Sequence, residues 1–94
     1  MRDYEVVVVL QPDLDETSLS GLMDKISGWI NDFGGKVAKM DHWGKRKLAY
    51  PIRKHREGFY VLLNAQLAPS SVRELERNLQ YTEPVLRYLI TLAA

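Results

Sequence analysis

Gly44-Lys45-Arg46-Lys47 sets three cations in a row beside a glycine. Leu48-Ala49-Tyr50-Pro51-Ile52 follows, and then a second basic group, Arg53-Lys54-His55-Arg56. The chemistry this suits is phosphate binding. A strand held by apolar residues, with Leu48 and Tyr50 as its expected core side chains, presents Lys and Arg as a comb along a nucleic-acid backbone, and each Arg can bond two phosphate oxygens at once. One basic group alone is better explained by the lysines that keep an edge strand soluble and free of aggregation. Two groups on one hairpin exceed what such protection requires. His55 is read as an extra polar contact or a solvated turn residue, and His42, with no second ligand nearby, is given no metal role.

The charge is segregated along the chain. Eight of the thirteen Lys and Arg fall in residues 36–56 with one of the twelve acids, Asp41, so this window carries a formal +7; the rest sums to −6 behind a whole-chain value of +1. Such asymmetry steers polyanions to one side of a protein. Cysteine is absent, which excludes disulfides, thiolate metal sites and cysteine nucleophiles. The longest apolar run, Val6 to Leu10, is far short of a membrane span, and Met1-Arg2-Asp3-Tyr4 leads into it without the features of a secretory signal, so a cytosolic setting is expected. No membrane, cofactor or small-molecule substrate is implied. At 94 residues and 46% apolar content, one domain over residues 1–94 is expected.

The elements that must position the cations follow from periodicity. Residues 3–10 are rich in β-branched side chains and stop at Gln11-Pro12-Asp13, as suits a central strand. Asp15 and Glu16 open a helix with Leu19, Leu22, Met23, Ile26, Ile30 and Phe33 on its buried stripe and Trp29 at the edge of it, before Gly34-Gly35. Lys36 to Ile52, a polar turn over Arg53 to Gly58, and Phe59 to Leu67 read as a long hairpin, with Gly44 and Pro51 as sites for a bulge, bend or edge position. Part of it is expected to project beyond the sheet. Ser71 and Glu74 have capping-box spacing ahead of a second helix with Val72, Leu75 and Leu79 buried, and Val85 to Leu92 is the last strand.

The order βαββαβ predicts an α+β, ferredoxin-like fold, two helices on one face of a four-stranded antiparallel sheet. Alternation sends Phe59, Val61, Leu63, Ala65 and Leu67 toward the helices, as it does Leu86, Tyr88, Ile90 and Leu92. Tyr60, Leu62, Asn64 and Gln66 then face outward, with Arg87, Leu89 and Thr91. With Val7 and Val9, the outer face gains an apolar strip that is either a docking surface or ordinary exposed sheet.

Met1-Arg2-Asp3-Tyr4-Glu5-Val6, the block Trp43-Gly44-Lys45-Arg46-Lys47-Leu48-Ala49-Tyr50-Pro51-Ile52, and Gly58-Phe59-Tyr60 after a short basic turn closely resemble the family of ribosomal protein number six of the bacterial small subunit. The resemblance spans essentially the whole chain, and the central block is its most specific part. It implies a structural, non-enzymatic domain that binds the central domain of small-subunit ribosomal RNA and pairs with ribosomal protein number eighteen during assembly. By similarity the RNA-facing candidates are Arg2, Lys45, Arg46, Lys47, Arg53, Lys54, His55, Arg56 and Arg87. Arg87 has a second reading, an ion pair with Glu5 across neighbouring strands. The partner-protein candidates are Val7, Val9, Trp43, Tyr60, Leu62 and Leu89, with Trp43 alternatively a local cover for the hairpin. Many members carry a charged tail after the last strand; this sequence stops at Ala94, so nothing resting on such a tail is carried over.

Two other readings share the fold. An RNA-recognition-motif-like binder of single-stranded RNA outside the ribosome is loosely echoed by Arg56-Glu57-Gly58-Phe59-Tyr60-Val61, but the first strand has no central aromatic and Tyr60 alone is a poor stacking platform. An acylphosphatase-type enzyme would use Asn64 with an anion-cradling loop, and Gln11-Pro12-Asp13-Leu14-Asp15 offers acids where that loop needs Gly and Arg.

Overall fold

The computed structural model describes residues 1–93. Its elements run β1 (Arg2–Leu10), α1 (Glu16–Asp32), β2 (Lys36–Ile52), β3 (His55–Leu67), α2 (Pro69–Gln80) and β4 (Val85–Leu92). The sheet order is β2-β3-β1-β4 with every pairing antiparallel, so the valine-rich β1 is central and the basic β2 is an edge. Val6, Val8 and Leu10 of β1 and Val61, Leu63, Ala65 and Leu67 of β3 form one buried cluster with Leu22, Met23, Ile26 and Ile30 of α1 and Leu75 and Leu79 of α2. Both helices therefore cover the same face of the sheet, as period-2 and period-3.6 patterning require. Trp29 is half-buried against that cluster.

Helix α1 begins where Asp15 accepts the Ser18 backbone N–H at 2.7 Å. It ends in a Schellman motif: Gly34 N–H donates to Asn31 O and Gly35 N–H to Ile30 O, both at 2.9 Å, with Gly34 at φ +81. The second helix departs from expectation. It starts at Pro69, with Ala68 as N-cap and no side-chain cap bond, so Ser71 lies inside the first turn and the capping box does not form. Proline at the first helical position has its φ preset and no N–H to satisfy, so it nucleates the helix ahead of the serine.

The hairpin also differs from the sequence reading. Its turn is only Arg53-Lys54, both at positive φ (48° and 70°), and β3 begins at His55, where Phe59 was expected. Two consecutive left-handed residues make the tight hairpin turn whose twist matches that of the strands. Besides an unexpected register shift between Val37 and Lys39, β2 is irregular near the expected residues: between His42 and Gly44, where Gly44 has φ +86, and between Lys47 and Ile52, a stretch that includes Pro51. In the last of these, Leu48-Ala49-Tyr50-Pro51 bulges opposite Arg56. This bulge removes Leu48 and Tyr50 from the core positions expected of them. Leu48 is half-buried outside the main cluster, and Tyr50 is 54% exposed.

Candidate nucleic-acid interface

All eight cations between Lys36 and Arg56 are exposed, and among the described residues only Lys39 has a carboxylate within ion-pair distance, Asp41 at 3.6 Å. The remaining seven have no carboxylate partner there. They do not form a one-sided comb. Lys45 lies opposite Phe59 and Lys47 opposite Glu57, which puts both on the helix side, while Arg46 lies opposite Gly58 on the outer side. Because β2 is the edge strand, the three still line one border of the ribbon from its two faces.

The ribbon runs past the end of β1, where Leu10 pairs with Phe59, and bends across the outer face toward β4. Two contacts mark its landing. Arg53 Nη1 donates to the Glu83 carbonyl at 2.8 Å, and Arg87 Nη1 donates to the Tyr50 hydroxyl at 2.9 Å with its guanidinium 5.6 Å from the Tyr50 ring centroid. Arg87 therefore sits opposite Val9 and under the hairpin, not beside Glu5, which pairs with Thr91. Lys54 and Arg56 are exposed at the tip and His55 is half-buried. Arg2 pairs with Leu67 at the far end of β1, about 26 Å along the strand from Leu10. It does not join the hairpin cluster.

Chain crossing also alters the apolar outer face. A Cβ on Gly58 would stand 2.4 Å from Val9 Cγ1 and 3.4 Å from Leu48 Cδ2, so the hairpin passes directly over Val9 and leaves it only 5% exposed. The uncovered strip is narrower than expected. It consists of the cross-strand row Leu62–Val7–Leu89, with Leu89 60% exposed, and borders a cavity of about 210 Å³ that Tyr60 and Arg87 also line. Trp43, in the bulge before Gly44, stacks on Tyr60 with centroids 6.4 Å apart and planes 12° from parallel. That ring occupies one face of the sole β3 aromatic available for base stacking. Asn64 pairs with Glu5 in mid-sheet, five residues from the Leu10 end where the acidic loop begins, so the two halves of an acylphosphatase site are not brought together.

The chain as a whole has known relatives. The family profile described as Ribosomal protein S6 matches residues 3–91. The chain belongs to the ribosomal protein S6 family. It is 51% identical over 90 residues to the small ribosomal subunit protein bS6 of Caldanaerobacter subterraneus subsp. tengcongensis, covering 96% of this chain and 95% of that one. It is 46% identical over 91 residues to bS6 of Moorella thermoacetica, covering 97% and 93%. The crystal structure of 30S ribosomal protein S6 from Thermotoga maritima superposes with a TM-score of 0.90 at 27% identity, over 98% of this chain and 87% of that one. The ferredoxin-like architecture and the small-subunit assignment thus agree with the resemblance carried by the Trp43–Ile52 block. The chain is a structural protein of the small ribosomal subunit in the cytoplasm.

Sequence reasoning missed the contact between Tyr50 and Arg87. The two residues are 37 positions apart, a separation with no local signature. The available hint was Pro51, which cannot donate to a ladder and so marks the place where strand alternation, and with it the assignment of Tyr50 to the core, breaks down.

Proposed function

We propose that this S6-family chain is a non-enzymatic scaffold component that binds the central domain of small-subunit ribosomal RNA through the border of its basic hairpin, alongside ribosomal protein number eighteen. The observation that carries the reading is the set of six exposed cations from Lys45 to Arg56 on one edge ribbon that have no carboxylate partner among the described residues. Phosphate binding by such groups releases counterions and is sequence-independent. Cations on both faces of the border suit edge-on docking between phosphate strands, with the RNA read by shape. Lys45, Arg46, Lys47, Lys54 and Arg56 supply the phosphate contacts, with His55 as a neighbouring polar group, while Arg2 is remote from them. The protein partner docks on the strip formed by Leu62, Val7 and Leu89, with Trp43 and Tyr60 at its hairpin end.

Residue-resolved crosslinking in assembled small subunits tests this. Probes at Lys45, Arg46 and Lys54 are expected to capture RNA, and a probe at Leu89 another polypeptide. Hairpin probes that capture only solvent or protein would refute the reading.

A further inference from the structure

The hairpin's cations are useful as a set only if the ribbon is held in one place, and Arg46 to Gly58 extend beyond the last rung that β1 provides, Leu10 with Phe59, which Lys45 faces. Two contacts from β4 and the segment before it act on that overhang. Arg53 at the turn is bonded to the Glu83 carbonyl, and Arg87 donates to the Tyr50 hydroxyl while lying over its ring. Both close loops of thirty residues or more (sequence separations of 30 and 37); the first reaches the corner that follows the C-terminus of α2 and the second the neighbouring start of β4. That corner is suited to holding a basic tip. Carbonyls at a helix C-terminus carry partial negative charge, and the cavity of about 450 Å³ between tip, α2 and β4 is lined by Glu76 as well as by Arg53 and Arg87. The Leu48–Pro51 bulge brings Tyr50 to Arg87; a regular ladder opposite β3 would have kept that side chain on the edge.

We propose that Tyr50 and Arg87, with the Arg53–Glu83 contact, form a clasp that fixes the basic hairpin across the sheet and so presents its remaining cations to RNA already ordered. Tyr50 and Arg87 are then positioning residues, and Arg87 serves the RNA site through Tyr50, not by meeting phosphate. This proposal rests on the RNA-binding reading for its consequence but not for its structural half. An unfastened hairpin keeps every free cation and must order them upon binding, a cost that lowers affinity without altering how many phosphates are neutralised.

Tyr50→Ala, at an exposed position with no cation removed, is the test, and Tyr50→Phe is its conservative companion. In the free protein, backbone amide exchange across residues 55–58 is expected to quicken about tenfold or more in Tyr50→Ala, with β1 amides unchanged and Tyr50→Phe in between. Binding to central-domain ribosomal RNA with ribosomal protein number eighteen present is expected to weaken about three- to tenfold in Tyr50→Ala, with an unchanged slope of log affinity against log salt. Unchanged amide exchange would overturn the clasp. Faster exchange with undiminished affinity, or a shallower salt slope, would overturn its positioning role. A wild-type protein that shows no salt-dependent affinity for this RNA would defeat the RNA reading separately, because the exchange experiment needs no RNA.

Discussion

Asp15 shows how a single side chain can set an element boundary. The Ser18 backbone N–H, with a further contribution from the Ser18 side chain, holds its carboxyl below the usual carboxylate range. A carboxyl depressed in the folded state stabilises fully above its unfolded pKa, and that contribution fades as pH falls through the folded value. Asp15→Asn keeps an acceptor for the cap but cannot titrate. Thermal melts from about pH 2 to pH 7 are therefore expected to show a similar midpoint near neutrality and a shallower acid decline for the variant. Gly58 is the steric counterpart. Its missing side chain lets β3 pass over Val9, so Gly58→Ala should lower stability by about 1 to 3 kcal/mol in urea unfolding, as overpacking does. Nothing in the local sequence marks this need, because Gly58 is constrained by a strand 49 positions earlier, at Val9.

The strands and helices themselves were legible in the sequence. Valine runs, helical stripes and the terminal Gly34-Gly35 pair are local signals, and the structure places β1, α1 and β4 within a residue or two of the expected limits. The hairpin was legible only in outline. Its alternation predicted core roles for Leu48 and Tyr50, whereas the four-residue bulge shifts both out of register with β3. Leu48→Ala is accordingly expected to cost about 1 kcal/mol, the value for a half-buried aliphatic side chain. Leu63→Ala, in the central cluster, should cost about 2 to 5 kcal/mol. Equal costs in parallel chemical denaturation would mean that Leu48 is packed as a core residue. The direction of the overhang, and hence the clasp on β4, depends on contacts between distant segments that no window of sequence contains.

Across the whole molecule the decisive property is where charge is placed relative to the fold. Helix α1 and the loop before it carry most of the excess acid, and the edge hairpin carries exposed cations that, among the described residues, have almost no carboxylate partner. The family, the fold and this polarity were all readable from residue order, since they rest on composition and on the Trp43–Ile52 block. The availability of each cation was not: Arg53 and Arg87 are engaged within the chain, and Arg2 stands at the opposite end of β1. The most direct measurement is the salt dependence of incorporation into small subunits, with wild type competing against the double variant Lys45→Glu, Arg46→Glu. Weaker incorporation, with a slope of log affinity against log salt shallower by about 1 to 2, is the expected result, provided the isolated variant melts as the wild type does. Equal incorporation with an unchanged slope would contradict the claim that this hairpin is what holds the protein to RNA.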